Sequence, residues 1–233
     1  MTSSESQDNY DLLMAAVKSN PRVLKSYSEK LRDDKKLVLA AVENEGSILK
    51  YVSKRLRDDK GLIMAAVKSN GLTFEYASER LRDDRETALE VARNCGRALE
   101  YVSSRLQGDR EVVLAAVKNC GRAIEYASEK MKNDEEIGMA AVENDGSVLE
   151  YLSDELRDKE QLVLEAVKNH KSAIYSASER LQNNKDFNLK LLKMNLRAKY
   201  LIRTDTELQW LSRFGFNTIA AMNKSYNISF AFK

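Results

Sequence analysis

The hydrophobic pattern of the chain repeats with a period of 25 residues. In the second copy, a run of six apolar residues spans Leu37 to Val42, and a spaced set follows at Ile48, Leu49, Val52 and Leu56. The run predicts a helix with neighbours on several sides, helix A, and the spaced set predicts a half-buried helix B. Two short helices cannot bury these faces alone, so the copies must stack.

Identical residues recur in register with this pattern. The motif Leu-Arg-Asp-Asp begins at Leu31, Leu56 and Leu81, with variants at Leu106, Met131, Leu156 and Leu181. Glycine recurs at Gly46, Gly71, Gly96, Gly121 and Gly146, and tyrosine at Tyr51, Tyr76, Tyr101, Tyr126 and Tyr151. We therefore predict an all-α fold, an α-solenoid of about seven 25-residue helical hairpins with a divergent C-terminal cap.

The recurring letters have structural interpretations. The first Asp of each pair is predicted to be the N-cap of helix A, because Glu86 stands three residues after Asp83. The glycine is expected in a left-handed conformation that ends helix A. The tyrosines are interpreted as packing residues with hydroxyls at the rim, and the alternative is a stacking platform for bases or peptides.

The two ends of the array differ from its middle. Residues 1–30 form a predicted N-terminal capping repeat, because Pro21 and Ser26 replace the glycine and the tyrosine. The array covers residues 31–192, and its last segment, Phe187 to Leu192, resembles another helix A. Residues 193–233 are predicted to be a basic, aromatic C-terminal cap over the open end of the stack.

Three segments carry a family resemblance: Leu81-Arg-Asp-Asp, Leu114-Ala-Ala-Val-Lys-Asn119 and Glu125-Tyr-Ala-Ser-Glu129. They resemble a tandem helical repeat family of unknown function, whose units have the approximate sequence LRDDKE-LVLAAVKNNG-ALEYASERLRDD. The resemblance extends over about residues 6 to 192 and implies a helical array without implying an activity. Such repeats occur in proteins of intracellular bacteria, protists and large viruses, which suggests interaction or effector roles.

Composition favours a folded protein inside a cell. Hydrophobic residues make up 43% of the chain and there is one proline, so an ordinary helical core is expected. No secretory signal or membrane-spanning run is visible, and the two cysteines make no disulfide framework. We expect a cytoplasmic protein, or one delivered into a host cytoplasm, that has no membrane partner.

The sequence offers little chemistry for catalysis. The single histidine, His170, occupies a variable column that also holds Cys95 and Cys120. The two cysteines are expected to lie one stacking distance apart, too far for a disulfide, as unpaired thiols. We expect no catalytic residue, no cofactor, no metal site and no enzyme activity.

Binding is expected at exposed columns. One candidate is an acidic row on helix B, formed by Glu75, Glu100, Glu125 and Glu150, which meets a basic partner or merely forms local ion pairs. A second candidate is the basic loop region of Arg93, Arg97, Lys118 and Arg122, which binds an acidic peptide or phosphate or is simply solvated.

The C-terminal segment carries a third candidate site. From Lys185 onward the chain has nine Lys or Arg and three Asp or Glu, a net charge of +6. The whole chain carries +2, so residues 1–184 carry −4. The candidate residues are Lys193, Arg197, Lys199, Arg203, Trp210 and Arg213. Basic residues interleaved with aromatics can hold nucleic acid, and a capping helix with solvated cations explains the same letters.

We therefore expect a non-enzymatic scaffold that binds another protein. It would recruit or block its partner, as an effector or inhibitor from a pathogen, a virus or a mobile element does. The alternative is binding to nucleic acid or nucleoprotein through the basic C-terminal segment.

Overall fold

The computed structural model describes the backbone of residues 3–194, and the C-terminal segment predicted to be a cap lies almost wholly outside them. Within the described part the chain is all-α and contains no strand, which confirms the predicted fold class. The chain divides into two compact units, one ending at Met131 and one beginning at Lys132. In each unit, consecutive repeats pack against one another as in an α-solenoid.

Each repeat begins with a long α-helix that corresponds to the predicted helix A. These helices are α1 (Ser3–Ser19), α2 (Lys35–Val42), α3 (Lys60–Ser69), α4 (Arg85–Asn94), α5 (Arg110–Asn119), α6 (Glu135–Asn144), α7 (Glu160–Asn169) and α8 (Lys185–Lys193). The expectation that Phe187 to Leu192 forms another such helix is therefore confirmed. No helix among residues 3–194 has both the length and the apolar character needed to cross a bilayer.

The predicted helix B is two short helices. The first is a 3₁₀ helix, seen at Pro21–Ser26, Gly46–Tyr51, Gly71–Tyr76, Gly96–Tyr101, Gly121–Tyr126, Gly146–Tyr151 and Lys171–Ser176. The second is a single turn, seen at Glu29–Arg32, Lys54–Arg57, Glu79–Arg82, Glu129–Lys132, Asp154–Arg157 and Glu179–Asn183, and as the 3₁₀ turn Leu106–Gly108. Leucine or methionine in the single turn is buried in most copies, as are Leu49, Phe74, Leu99, Ile124 and Leu149 of the 3₁₀ helices.

A serine in each copy separates the two short helices. The Ser78 backbone N–H donates to the Arg57 carbonyl of the preceding repeat at 2.9 Å, so it cannot continue the 3₁₀ helix. The Ser78 hydroxyl oxygen then accepts from the Leu81 N–H at 3.2 Å and caps the single turn. The periodic hydrophobic pattern shows that helix B has one apolar face, but it does not show that the serine interrupts this helix.

The N-cap of the long helix is the second Asp of each pair, so the prediction that the first Asp has this role is wrong. Asp84 accepts from the Thr87 N–H at 2.8 Å, and Asp59 accepts from the Leu62 N–H at 2.9 Å. Lys159 stands at this position before α7 and makes no side-chain cap. The first Asp is occupied elsewhere, because it binds the next repeat.

This contact between repeats is here called the clamp: the first Asp, a serine 20 residues later and an arginine 22 residues later. At Asp58, the carboxylate accepts from the Ser78 hydroxyl and from Arg80 Nε at 2.9 Å. Arg80 Nη2 also donates to the Asp58 carbonyl at 2.9 Å. Equivalent clamps join Asp33 with Ser53 and Arg55, Asp83 with Ser103 and Arg105, and Asp158 with Ser178 and Arg180.

The recurring glycine begins the 3₁₀ helix and has no left-handed backbone, so the expected helix-ending role is wrong. Its function is close approach between repeats. A Cβ on Gly96 would lie 2.2 Å from the Ala116 carbonyl oxygen, and one on Gly71 would lie 2.1 Å from Cys95 Cβ. The residue before each glycine, such as Asn70, ends the long helix in an extended conformation.

Candidate protein-binding groove

An open groove of about 610 Å³ runs across α4 and α5 on their solvent side. Its lining residues are Leu89, Arg93, Glu111, Leu114, Ala115, Lys118 and Asn119, all within the first compact unit. The two helices lie in contact, and the buried alanines Ala88, Ala92 and Ala116 allow this approach.

The floor of the groove is apolar. Leu89 and Leu114 are half-buried, at the same position of helix A in neighbouring repeats. Ala115 is also half-buried, and the same position of the preceding repeat is occupied by the exposed Glu90. The short side chain of Ala115 therefore opens the groove at a position where another repeat places a longer one.

Cations border this floor on one side. Arg93 follows Leu89 by four residues and Lys118 follows Leu114 by four, so each cation lies one turn beyond a floor leucine. Both cations are exposed. Within residues 3–194, the Arg93 guanidinium makes no hydrogen bond or ion pair.

The one carboxylate in the groove is paired. Glu111 accepts from Arg85 Nη2 at 2.8 Å, and Arg85 Nε also binds Asp109 at 2.8 Å. These hydrogen bonds to Asp109 and Glu111 raise the pKa of Arg85 above its ordinary value. The negative charge of Glu111 is thus balanced locally by Arg85, and the exposed Arg93 guanidinium extends from the groove into solvent.

Asn119 fixes the end of α4 at the groove. Its Nδ2 donates to the Arg93 carbonyl at 2.9 Å, and its Oδ1 accepts from the Gly96 N–H at 2.7 Å. Both polar atoms of the amide are therefore used between repeats. The backbone that carries Arg93 is held in place, while its side chain extends toward solvent.

The four cations predicted from the loop sequence occupy different surroundings. Arg93 and Lys118 line the groove. Arg97 instead hydrogen-bonds the Tyr126 hydroxyl, and Arg122 lies 3.9 Å from Glu125. The structure brings two of the four together on an apolar floor.

The acidic row is exposed, and it interacts with the tyrosines. Glu75, Glu100, Glu125 and Glu150 all occupy the fifth position of their 3₁₀ helices. The hydrogen bond to Glu75, together with burial, raises the pKa of Tyr76 to about 12. Burial and the Glu100 charge raise the pKa of Tyr101. The recurring tyrosines are half-buried, and those at positions 76 and 101 interact with the glutamates of the row, as the packing interpretation expects.

Other candidate chemistry from the sequence is dispersed. Cys95 and Cys120 are free thiols, half-buried beside the glycines of neighbouring repeats. His170 is exposed at the end of α7. Among residues 3–194, no group of three or more His, Cys, Asp or Glu side chains is placed to hold a metal ion.

The candidate nucleic-acid residues lie beyond the described part. Lys193 belongs to α8, but its side chain is outside the description, as are Arg197, Lys199, Arg203, Trp210 and Arg213. Lys190, from the same basic segment, forms an ion pair with Glu160 of α7. One cation of the segment thus has a structural contact within the second unit.

Five lining residues were not predicted from the sequence: Leu89, Glu111, Leu114, Ala115 and Asn119. The available signal was the run of six apolar residues from Val112 to Val117 in α5, which is longer than one buried face requires. In α4 and α5, Leu89 and Leu114 are the leucines that remain half-exposed. Which position stays exposed depends on how the helices stack, and the period alone does not specify this.

Comparison with known proteins places the repeat in a family. Residues 9–57, 59–107, 109–157 and 159–201 each match the family described as "Domain of unknown function (DUF4116)". The matches follow one another in tandem and the first three are each about two 25-residue repeats long, which confirms the resemblance found in the sequence. No curated protein and no solved structure matches the chain. The matches cover most of the chain, which therefore belongs to the DUF4116 family of tandem helical repeat domains of unknown function.

Proposed function

We propose that the chain is a non-enzymatic scaffold that binds another protein through the outer surface of its long helices. The observation that supports this most is the groove across α4 and α5, which combines an apolar floor with charged groups at its edge. Such a surface recruits or blocks a partner, as an effector or inhibitor does.

The repeated residues support the same proposal indirectly. The clamp, the Asp caps and the close-approach glycines account for the recurring polar and glycine columns through stability alone. Binding is left to exposed positions that differ between repeats, which is where repeat proteins carry specificity. The free thiols suit a reducing compartment such as a cytoplasm, which we include in the proposal.

Site-specific photo-crosslinking tests this function. A benzoylphenylalanine at Glu111, on the edge of the groove, should capture a protein in the native host cell. The same label at Ser104, which is exposed and outside the groove, should not. The captured protein, once purified, should bind the unlabelled chain with defined stoichiometry in calorimetry. Equal capture from both positions, or no protein from either, would contradict the proposal.

The nucleic-acid alternative has its own measurement. A gel shift with RNA or DNA that weakens with salt, and disappears when residues 193–233 are removed, would favour binding through the basic segment. A stoichiometric protein partner without such a shift would favour the scaffold.

A further inference from the structure

The chemistry of the groove across α4 and α5 identifies the kind of segment that fits it. Resting on the proposed scaffold function, we propose that this groove binds a short helical segment of a partner protein that carries leucine-like anchors and carboxylates beside them. The argument depends on the floor, the cations and the position of both on their helices.

The floor selects an apolar anchor. Leu89, Leu114 and Ala115 are half-buried aliphatic side chains, and a covering side chain would remove their remaining surface from water. Neighbouring helices pack roughly 8–10 Å apart, so the two leucines present two anchor points at about that separation. Leucines seven residues apart on a helix span about 10 Å, which matches this distance.

The cations select carboxylates. Arg93 and Lys118 lie one turn beyond the two floor leucines, and Glu111 is already paired with Arg85. A segment with acidic residues beside its anchors would therefore complement the groove in charge. Aligned charges of this kind raise association rates and fix the orientation of a segment more than they add affinity.

The same geometry disfavours a polyphosphate backbone. The lining residues include two cations, Arg93 and Lys118, one on each helix, which are too few to follow a continuous row of phosphates. The lining residues include no aromatic side chain on which a base could stack. A few carboxylates around apolar anchors suit this site better than a continuous row of phosphates does.

The chain itself supplies well-matched variants. Ala115→Glu introduces the residue that Glu90 already places in this column, so the repeat accommodates it, and it adds a carboxylate to the groove. Ala65→Glu makes the same change in a half-buried alanine of the same column outside the groove. Arg93→Glu likewise uses a residue found at Glu43, and Lys68→Glu is its control.

Fluorescence polarisation with labelled 15-residue peptides tests the proposal on the full chain. The probe has two leucines seven residues apart with glutamates beside them, and its counterparts replace the glutamates by glutamine or lysine, or the leucines by alanine. We expect the leucine–glutamate peptide to bind at least about tenfold more tightly than each counterpart. Ala115→Glu and Arg93→Glu should each weaken it about tenfold, whereas Ala65→Glu and Lys68→Glu should leave its Kd unchanged. Arg93→Glu should also improve binding of the lysine peptide.

Circular dichroism spectra of all four variants establish that they fold alike. Three results would overturn the proposal: no binding of any peptide, equal loss with the groove and control variants, or a labelled single-stranded RNA that binds the groove more tightly than the peptide does. The same experiments distinguish failure of this proposal from failure of the proposed scaffold function. If crosslinking from Glu111 captures a protein while the leucine–glutamate peptide does not bind, the scaffold stands and the acidic, apolar partner segment does not.

Discussion

The Ser128 hydroxyl is buried beside Gly108 and, among the described residues, has no hydrogen-bond partner. In the clamps, the equivalent hydroxyl donates to the first Asp of the preceding repeat, as Ser103 does to Asp83. Gly108 stands at that Asp position and offers no acceptor. The arginine is missing as well, because Lys130 occupies its position. This joint therefore lacks both the carboxylate that accepts from the serine and the arginine that binds that carboxylate.

The double substitution Gly108→Asp with Lys130→Arg is expected to complete this clamp and stabilise the protein. A Cβ at Gly108 would lie 3.5 Å from Ser128 Oγ, so the space admits a side chain. Giving the buried hydroxyl a partner is worth about 1 kcal/mol. The urea midpoint should rise, with the slope of the transition unchanged.

Ser128→Ala provides the control for this prediction. In the natural sequence the substitution removes an unsatisfied polar atom, so it should be neutral or slightly stabilising. In the double variant it should remove most of the gain. If Ser128→Ala has the same effect in both backgrounds, the added Asp does not bind the serine.

The clamp also shows how far sequence reasoning extends. The 25-residue period established the class, the repeat length and the start of each long helix to within a residue or two. It assigned the capping role to the wrong Asp, because a glutamate at the third position suits a capping box without showing which carboxylate is free. The sequence did carry a signal for the clamp, because its two positions change together. Asp58 and Arg80 form an ion pair. Three repeats later the same positions hold Asn133 and Glu155, whose side chains lie 3.0 Å apart.

The candidate site was predicted only in part. Arg93 and Lys118 were found because they are charged and repeat. The sequence did not predict that Arg97 and Arg122 lie apart from them. That separation depends on the 3₁₀ helices that follow α4 and α5, which turn Arg97 toward Tyr126 and Arg122 toward Glu125. Residues from two helices create the groove, so its floor becomes visible only when the stacking is known.

Gly96→Ala is expected to be strongly destabilising. The new Cβ would lie 2.2 Å from the Ala116 carbonyl oxygen and 3.1 Å from Cys120 Cβ, so the next repeat would have to move. Overpacking of this kind costs roughly 3 kcal/mol. Gly61→Ala is the matched control, because its Cβ meets only the Asp59 carboxylate at 3.4 Å. It should stabilise α3 by up to about 1 kcal/mol, and thermal unfolding of the two variants should shift in opposite directions.

Acid should weaken the clamps. Hydrogen bonds from Ser78 and Arg80 hold the pKa of Asp58 below its ordinary 3.8. A lowered pKa contributes stability that is present above about pH 4 and is lost as the pH falls through the folded value. Asp58→Asn should therefore be less stable than the natural protein at pH 7, and the gap should narrow below pH 3.8. Urea midpoints between pH 7 and pH 2.5 measure this.

The variant Glu79→Gln controls for that change in net charge, because Glu79 is exposed and takes no part in the clamp. A gap between Asp58→Asn and the natural protein that stays constant down to the lowest pH would show that the Asp58 carboxylate does not stabilise the fold through its charge.

Glu75 and Tyr76 should be coupled at alkaline pH. The hydrogen bond to Glu75 and burial raise the pKa of Tyr76 from 10.0 to about 12. A raised pKa adds stability that is fully present below pH 10 and is lost as the pH rises through about 12. Absorbance at about 295 nm reports tyrosinate, so Glu75→Gln should move one tyrosine toward earlier ionisation, and Tyr76→Phe should remove that transition. The control Glu150→Gln, in the second unit, should leave the Tyr76 transition in place, and an unchanged titration curve for Glu75→Gln would show that Glu75 does not hold the phenol.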